Sequence, residues 1–256
     1  MKKLLQVLNI MGFIGVVAIN ALAVMLPLNN RTTEELSDMY PNLFVPAGIT
    51  FSIWGVIYIL LLLFTIYQAA DLLGGKKDRT GFVNRTGLLY LASSLFNIGW
   101  ILAWHYEQVL LSVLIMLGLL VTLITLYLSI GDRFQGFGEK LMAKIPISVY
   151  LGWISVAIIA NVTALLVDVG WDGFGISQEI WTYIMMGAAF LLAIIMRFQK
   201  DDIPYCLVII WALAGITIKR FATEPFYAGV AYAAIAMAAL IAISFLFRPV
   251  KKAYRF

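Results

Sequence analysis

Eight stretches of the chain run almost without a charge, at roughly residues 4–28, 43–70, 87–104, 109–130, 145–167, 180–196, 203–218 and 226–247, and polar, turn-rich segments separate them. A bilayer core about 30 Å thick is crossed by about 20 helical residues at 1.5 Å each. Each run therefore predicts a membrane-spanning helix. The sixth and seventh are the shortest and would be the ones to tilt or re-enter, which leaves seven spans as the alternative count. The longest connections, 29–42, 71–85 and 131–144, are too short to fold separately, and no internal repeat marks inverted halves. The expected fold class is an all-α integral membrane protein of about eight transmembrane helices.

Composition supports this reading. Of 256 residues 62% are hydrophobic and 12% charged, and the mean hydropathy is +0.94, far from soluble-domain values. The opening MKK, its apolar run and Ala21–Ala23 imitate a cleavable leader, but the run continues to Leu28, longer than a leader's apolar core, and reads as the first span. A single cysteine, Cys206, excludes an internal disulfide.

The net charge of +4 reads as topology. With the N-terminus inside, Lys2, Lys3, Lys76, Lys77, Arg79, Arg85, Arg133, Lys140, Lys144, Arg197, Lys200, Arg248, Lys251, Lys252 and Arg255 all fall on the cytoplasmic side. Only Arg31, Lys219 and Arg220 fall outside. That bias puts both termini in the cytoplasm, in a membrane of bacterial type. Basic residues scattered over several loops do not make a nucleic-acid surface, so the expected partners are the lipid bilayer and a hydrophobic small molecule.

Ionisable groups inside a bilayer are costly and usually functional, yet every acid lies in a loop or at the end of a run. The one histidine, His105, stands beside Tyr106 and Glu107 at the outer end of the third run, where a solvated His105–Glu107 pair is expected. A proton relay, metal cage or nucleophile–base pair lacks its residues, and no catalytic or metal-binding residue is assigned.

The interior instead carries aromatic, amide and small side chains at helical spacings. In PAGITFSIWGVIY, Pro46, Thr50, Trp54 and Tyr58 recur at i, i+4 and predict one stripe. NIGWILAW aligns Asn97, Trp100 and Trp104, with Ser93 one turn earlier, and YLGWISVAIIAN brings Tyr150, Trp153, Ala157 and Asn161 within roughly 80° of one another. Two readings compete. Tryptophans anchor at the interface while amides and small residues hold helices together, or the three stripes wall a shared cavity for a flat apolar ligand. Trp104, Trp171 and Trp181 suit the interfacial belt, whereas Trp54, Trp100 and Trp153 lie deeper. Trp211 and Tyr205 in the seventh run are expected to face lipid or core rather than a second ligand wall.

The stretch YLGWISVAIIAN resembles the last-helix motif Y-x-x-W-x-x-x-A-x-x-x-N of the tryptophan-rich sensory protein and translocator protein (TspO) family. VPAGITFSIWGVIY resembles that family's approach to its second helix, with Pro46 eight residues before Trp54 and Tyr58 following, and LFNIGWILAW resembles its third. The resemblance covers about residues 5–168. It implies a TspO-like five-helix bundle over 1–168, followed by three additional helices and a cytoplasmic tail over 169–256. It also implies a ligand site built from Trp54, Tyr58, Asn97, Trp100, Tyr150, Trp153, Ala157 and Asn161, with no cofactor required and a tetrapyrrole such as a porphyrin as the ligand. The first loop departs from the family in carrying no tryptophan. The added trio is expected to cover the surface that five-helix relatives use to form homodimers. The function expected is binding or sensing of a planar hydrophobic molecule. An ion-uncoupled facilitator of a neutral or amphipathic solute and a tetrapyrrole-degrading enzyme are the alternatives.

Overall fold

The structure is a computed structural model and describes residues 2–26, 28–72, 74–75, 80–132 and 134–247. Among the basic residues that set the expected topology, Lys76, Lys77, Arg79, Arg133, Arg248, Lys251, Lys252 and Arg255 lie outside the described residues. All regular structure among the described residues is helical: α1 (Lys2–Met25), α2 (Thr33–Asp38), α3 (Ile53–Ala69), α4 (Thr80–His105), α5 (Val109–Ile130), α6 (Phe137–Ala143), α7 (Ile145–Asp168), α8 (Gln178–Lys200), α9 (Ile203–Ala222) and α10 (Ala228–Ser244), with short 3-10 turns between them.

Among the described residues, seven helices are long and apolar enough to cross a membrane. The predicted weak pair is corrected. α8 and α9 have 23 and 20 residues, and α10 is the short one at 17, about 25 Å of helix. An apolar run ends at its first charge, but Arg197 and Lys200 occupy the last turn of α8 and Lys219 and Arg220 that of α9. Cations are favourable there because unpaired carbonyls leave the helix C-terminus partially negative.

The chain divides into two compact units. In the first, made of Met1–Pro41 and Phe51–Gly170, α4 packs on α1 and α5, α7 on α5 and α3, and α3 back on α1. Five long helices thus close a ring in the order α1, α4, α5, α7, α3. Close approach of α1 and α4 relies on Gly12, where a Cβ would meet that of Ser94 at 3.1 Å. α7 is the most buried of the five, with every residue from Pro146 to Val156 buried. Pro146 sits in its first turn, where a missing N–H costs nothing.

The second unit comprises Trp171–Phe256 and the segment Asn42–Thr50. Its α8, α9 and α10 pack on one another. α10 turns Val230, Ala231, Ala234 and Ile241 inward, and small faces of this kind let helices approach closely. Arg197, expected in a cytoplasmic loop, is helical and buried; it pairs with Asp201 and donates to the Phe247 carbonyl at 2.6 Å.

Candidate functional site

Trp54 is the centre of an aromatic cluster inside the five-helix unit. Its ring lies 5.7 Å from Tyr58 and 6.0 Å from Trp100, both stacked, and edge-on to Tyr150 at 6.0 Å and Trp153 at 6.3 Å. Phe51 meets Trp153 edge-on at 6.1 Å. Helices α3, α4 and α7 therefore bring Trp54, Tyr58, Trp100, Tyr150 and Trp153 together. Of the two alternatives, packed rings or a shared cavity, the geometry here is packing: Trp54 lies against each of the other four. A flat guest between two parallel rings needs about 7 Å between their planes, twice the carbon contact distance. Trp54 and Tyr58 are half-buried, while Trp100, Tyr150 and Trp153 are buried.

The predicted stripe Pro46–Thr50–Trp54–Tyr58 is also corrected. α3 begins at Ile53, Gly48–Ser52 forms a 3-10 turn, and Pro46 precedes both. A 3-10 turn advances about 120° per residue rather than 100°, so the i, i+4 alignment fails before Ile53. Only Trp54 and Tyr58 share the stripe.

Amides hold the ring of helices behind the cluster. Asn20 donates to Asn97 Oδ1 at 2.8 Å, and Asn97 donates to the Tyr150 hydroxyl at 2.9 Å, tying α1 to α4 to α7. Trp100 donates its indole N–H to Asn161 Oδ1 at 2.9 Å, and Asn161 donates to Ser112 Oγ at 2.8 Å, tying α4 to α7 to α5. Asn97 and Asn161 are spent on these bonds as interhelical ties, the role buried amides commonly take in membranes. Ala157, half-buried one turn before Asn161, contributes only its small volume.

Trp153 differs from Trp100. Its indole N–H is buried and has no hydrogen-bond partner, and a buried orphan donor costs roughly 1–3 kcal/mol. Among the predicted site residues in the described chain it is the buried polar group that lacks a partner and that an incoming acceptor would satisfy. Close by, Phe13, Val16, Leu61, Tyr90, Ser93, Ser94 and Tyr150 line a cavity of about 10 Å³, room for a single water and no ligand.

The outer end of α4 departs from expectation. His105 is fully buried rather than solvated, and it does not pair with Glu107. Its Nδ1 lies 3.2 Å from the Leu28 carbonyl, which can only accept, so Nδ1 carries a proton. Its Nε2 lies 3.1 Å from the Thr33 hydroxyl. Asn29 donates to the His105 carbonyl at 3.0 Å, and Glu107 pairs with Arg31 at 2.6 Å. The cause is α2, unforeseen in the first loop, which folds over this end. Trp104 is likewise covered rather than interfacial: Tyr40 lies against it at 5.7 Å, and its N–H has no partner. A signal for α2 was present in the T-x-x-E pattern, because Thr32 accepts from the Glu35 amide at 3.2 Å and Glu35 accepts from the Thr32 amide at 2.7 Å. Those bonds from Thr32, backbone first, hold the Glu35 carboxyl below its ordinary range.

Among the described residues no cluster of His, Cys, Asp or Glu is disposed to hold a metal. No curated protein and no solved structure matches the chain. The sequence model of one family, described as TSPO-like protein, matches residues 6–247. That match passes well beyond 5–168 and takes in α8, α9 and α10, so these helices lie within what the family describes. With all but the two ends of the chain covered and the aromatic helices in the expected order, the chain belongs to the TSPO-like protein family.

Proposed function

We propose that this membrane protein binds a planar hydrophobic ligand, a porphyrin or similar tetrapyrrole, at the Trp54 cluster. Family membership supports a membrane sensory or binding role in general. The single observation that carries the finer reading is the unpartnered, buried N–H of Trp153 beside rings of which two, Trp54 and Tyr58, are half-buried rather than buried. A guest with a flat aromatic face gains stacking against Trp54 and Tyr58, and an acceptor at its rim receives a hydrogen bond from the Trp153 N–H once the rings part. Asn97 and Asn161 hold the helices in place rather than touching the guest. In this reading the protein sits in a bacterial cytoplasmic membrane with both termini inside.

Titration of purified protein with protoporphyrin IX tests the reading, with Soret absorbance and tryptophan emission as signals. Saturable quenching that weakens in Trp54→Phe and Trp153→Phe supports it. Quenching that is linear, or equal in all three proteins, refutes it.

A further inference from the structure

Hydroxyl groups inside the five-helix unit do not all find partners in one another. The Asn97 amide is fixed in orientation because its Oδ1 accepts from Asn20, so its nitrogen is the donor in the 2.9 Å bond to Tyr150. The Tyr150 oxygen is therefore an acceptor there, and its own hydrogen meets no acceptor among the described residues. Bulk water does not reach it, since Tyr150 is 2% exposed.

Three neighbouring hydroxyls have the opposite need. Thr65 gives its hydrogen to the Leu61 carbonyl at 2.8 Å, which makes Tyr90 the donor in the 2.8 Å contact between Tyr90 and Thr65. Ser93 and Ser94 give theirs to the Tyr90 carbonyl at 2.7 Å and 3.2 Å. Tyr90, Ser93 and Ser94 have thus each used their hydrogen and keep oxygen lone pairs that no other group among the described residues claims. All three are buried. Asn97 follows Ser93 and Ser94 by one turn of α4, so the Tyr150 hydroxyl it holds stands close to their level.

Tyr90, Ser93, Ser94 and Tyr150 line the same cavity of about 10 Å³, and its other walls are apolar. We propose that this cavity is a binding site for one water molecule, which accepts from the Tyr150 hydroxyl and donates to two of the oxygens of Tyr90, Ser93 and Ser94. The walls offer one free hydrogen and several free lone pairs, the complement of what a water with two hydrogens presents, and about three bonds is the usual number for a buried water. A cation does not fit, because no charged side chain lines the cavity and the Tyr150 hydrogen would face it. An empty cavity leaves that hydrogen unbonded, which costs more than immobilising a water. The water joins α7 to α4 a second time, beside the Asn97 bond. It holds the Tyr150 hydroxyl from its hydrogen side while Asn97 holds the oxygen, and so restrains the ring that stands edge-on to Trp54 at 6.0 Å. The water site stands whether or not a porphyrin binds.

The test is a crystal structure of the full-length wild-type protein sharp enough to show ordered water, joined to reversible unfolding of four forms in mixed micelles: wild type, Tyr150→Phe, Ser93→Ala with Ser94→Ala, and the triple variant. Expected is one density peak within hydrogen-bond distance of the Tyr150 oxygen and of at least one of the other three hydroxyl oxygens. Expected in unfolding is that the triple variant departs from the sum of its parts by at least about twofold in the folded-to-unfolded ratio, the low end for groups sharing one network. An empty cavity in wild type, or a Tyr150 hydroxyl bonded directly to a protein acceptor, overturns the water site whatever the variants do. A water peak with strictly additive losses overturns its role as a bridge between α7 and α4. If the variants fail to fold, the wild-type density alone decides whether the site exists.

Discussion

Trp100 and Trp153 differ in one bond: the first indole N–H has a partner and the second has none. Replacing Asn161 by Leu removes the acceptor at 2.9 Å from Trp100 and strands that N–H in the interior. Ser112 suffers little, since its hydroxyl still donates to the Val109 carbonyl at 2.7 Å. The cost is then one orphan donor, roughly 1–3 kcal/mol. Trp100→Phe strands the Asn161 carbonyl instead, and the double variant strands neither, so a double-mutant cycle isolates the pair. Interhelical hydrogen bonds in membranes average about 0.6 kcal/mol and reach about 1.7 kcal/mol. A coupling energy of about 1 kcal/mol is expected, roughly a fivefold change in the folded-to-unfolded ratio. The assay is reversible unfolding in mixed micelles of rising SDS fraction, followed by far-ultraviolet circular dichroism. Trp153 supplies the control: eight residues along α7 from Asn161, about 12 Å away, it should couple to Asn161 by less than about 0.3 kcal/mol. A Trp100–Asn161 coupling equally near zero would refute the claim that these amides tie the helices together.

Asn97→Leu severs the bonds to Asn20 and Tyr150 together and should cost more stability than Tyr150→Phe, which leaves the Asn20–Asn97 bond; equal losses in the same unfolding assay would contradict this. His105→Leu removes its contacts with Thr33 of α2 and with the Leu28 carbonyl in the turn before α2, so amide exchange over residues 28–40 should rise and Trp104 emission shift to the red as Tyr40 lifts away. Unchanged exchange there would show that α2 is held by other means. Glu35→Gln should loosen α2 at neutral pH but not in acid. With the folded carboxyl held below its ordinary value of 4.5, the ionised Glu35 contributes fully above that value, and its contribution is lost as pH falls through the lowered one. Amide protection of α2 in wild type and variant should therefore converge at low pH, and a difference that persists there would assign the cap to something other than ionised Glu35.

The membrane spans were legible because lipid offers the backbone no partner; an uncharged run of sufficient length has little choice but to become a helix. The aromatic spacing of α7 and of α4 was legible for the same local reason, since a regular helix converts sequence distance into angle. Local regularity failed at Pro46 and Thr50, where a 3-10 turn broke the phase. It also failed at the helix ends, where charges continue α8 and α9 instead of stopping them.

What no spacing carries is the identity of distant partners. Asn97 and Asn161 read as ligand-orienting groups because an amide in an apolar run needs bonds from somewhere; only the packing shows them spent on Asn20, Tyr150, Trp100 and Ser112. His105 is buried because α2, some 70 residues earlier, folds over it. Asn42–Thr50 belongs with α9 through bonds spanning about 160 residues. The sequence by itself determined that the chain lives in lipid, where its helices run and which of their faces carry rings. Tertiary structure decided which polar groups are satisfied and which, like the Trp153 N–H, are left open, because that balance depends on where other helices come to rest and not on the order of residues within any one of them.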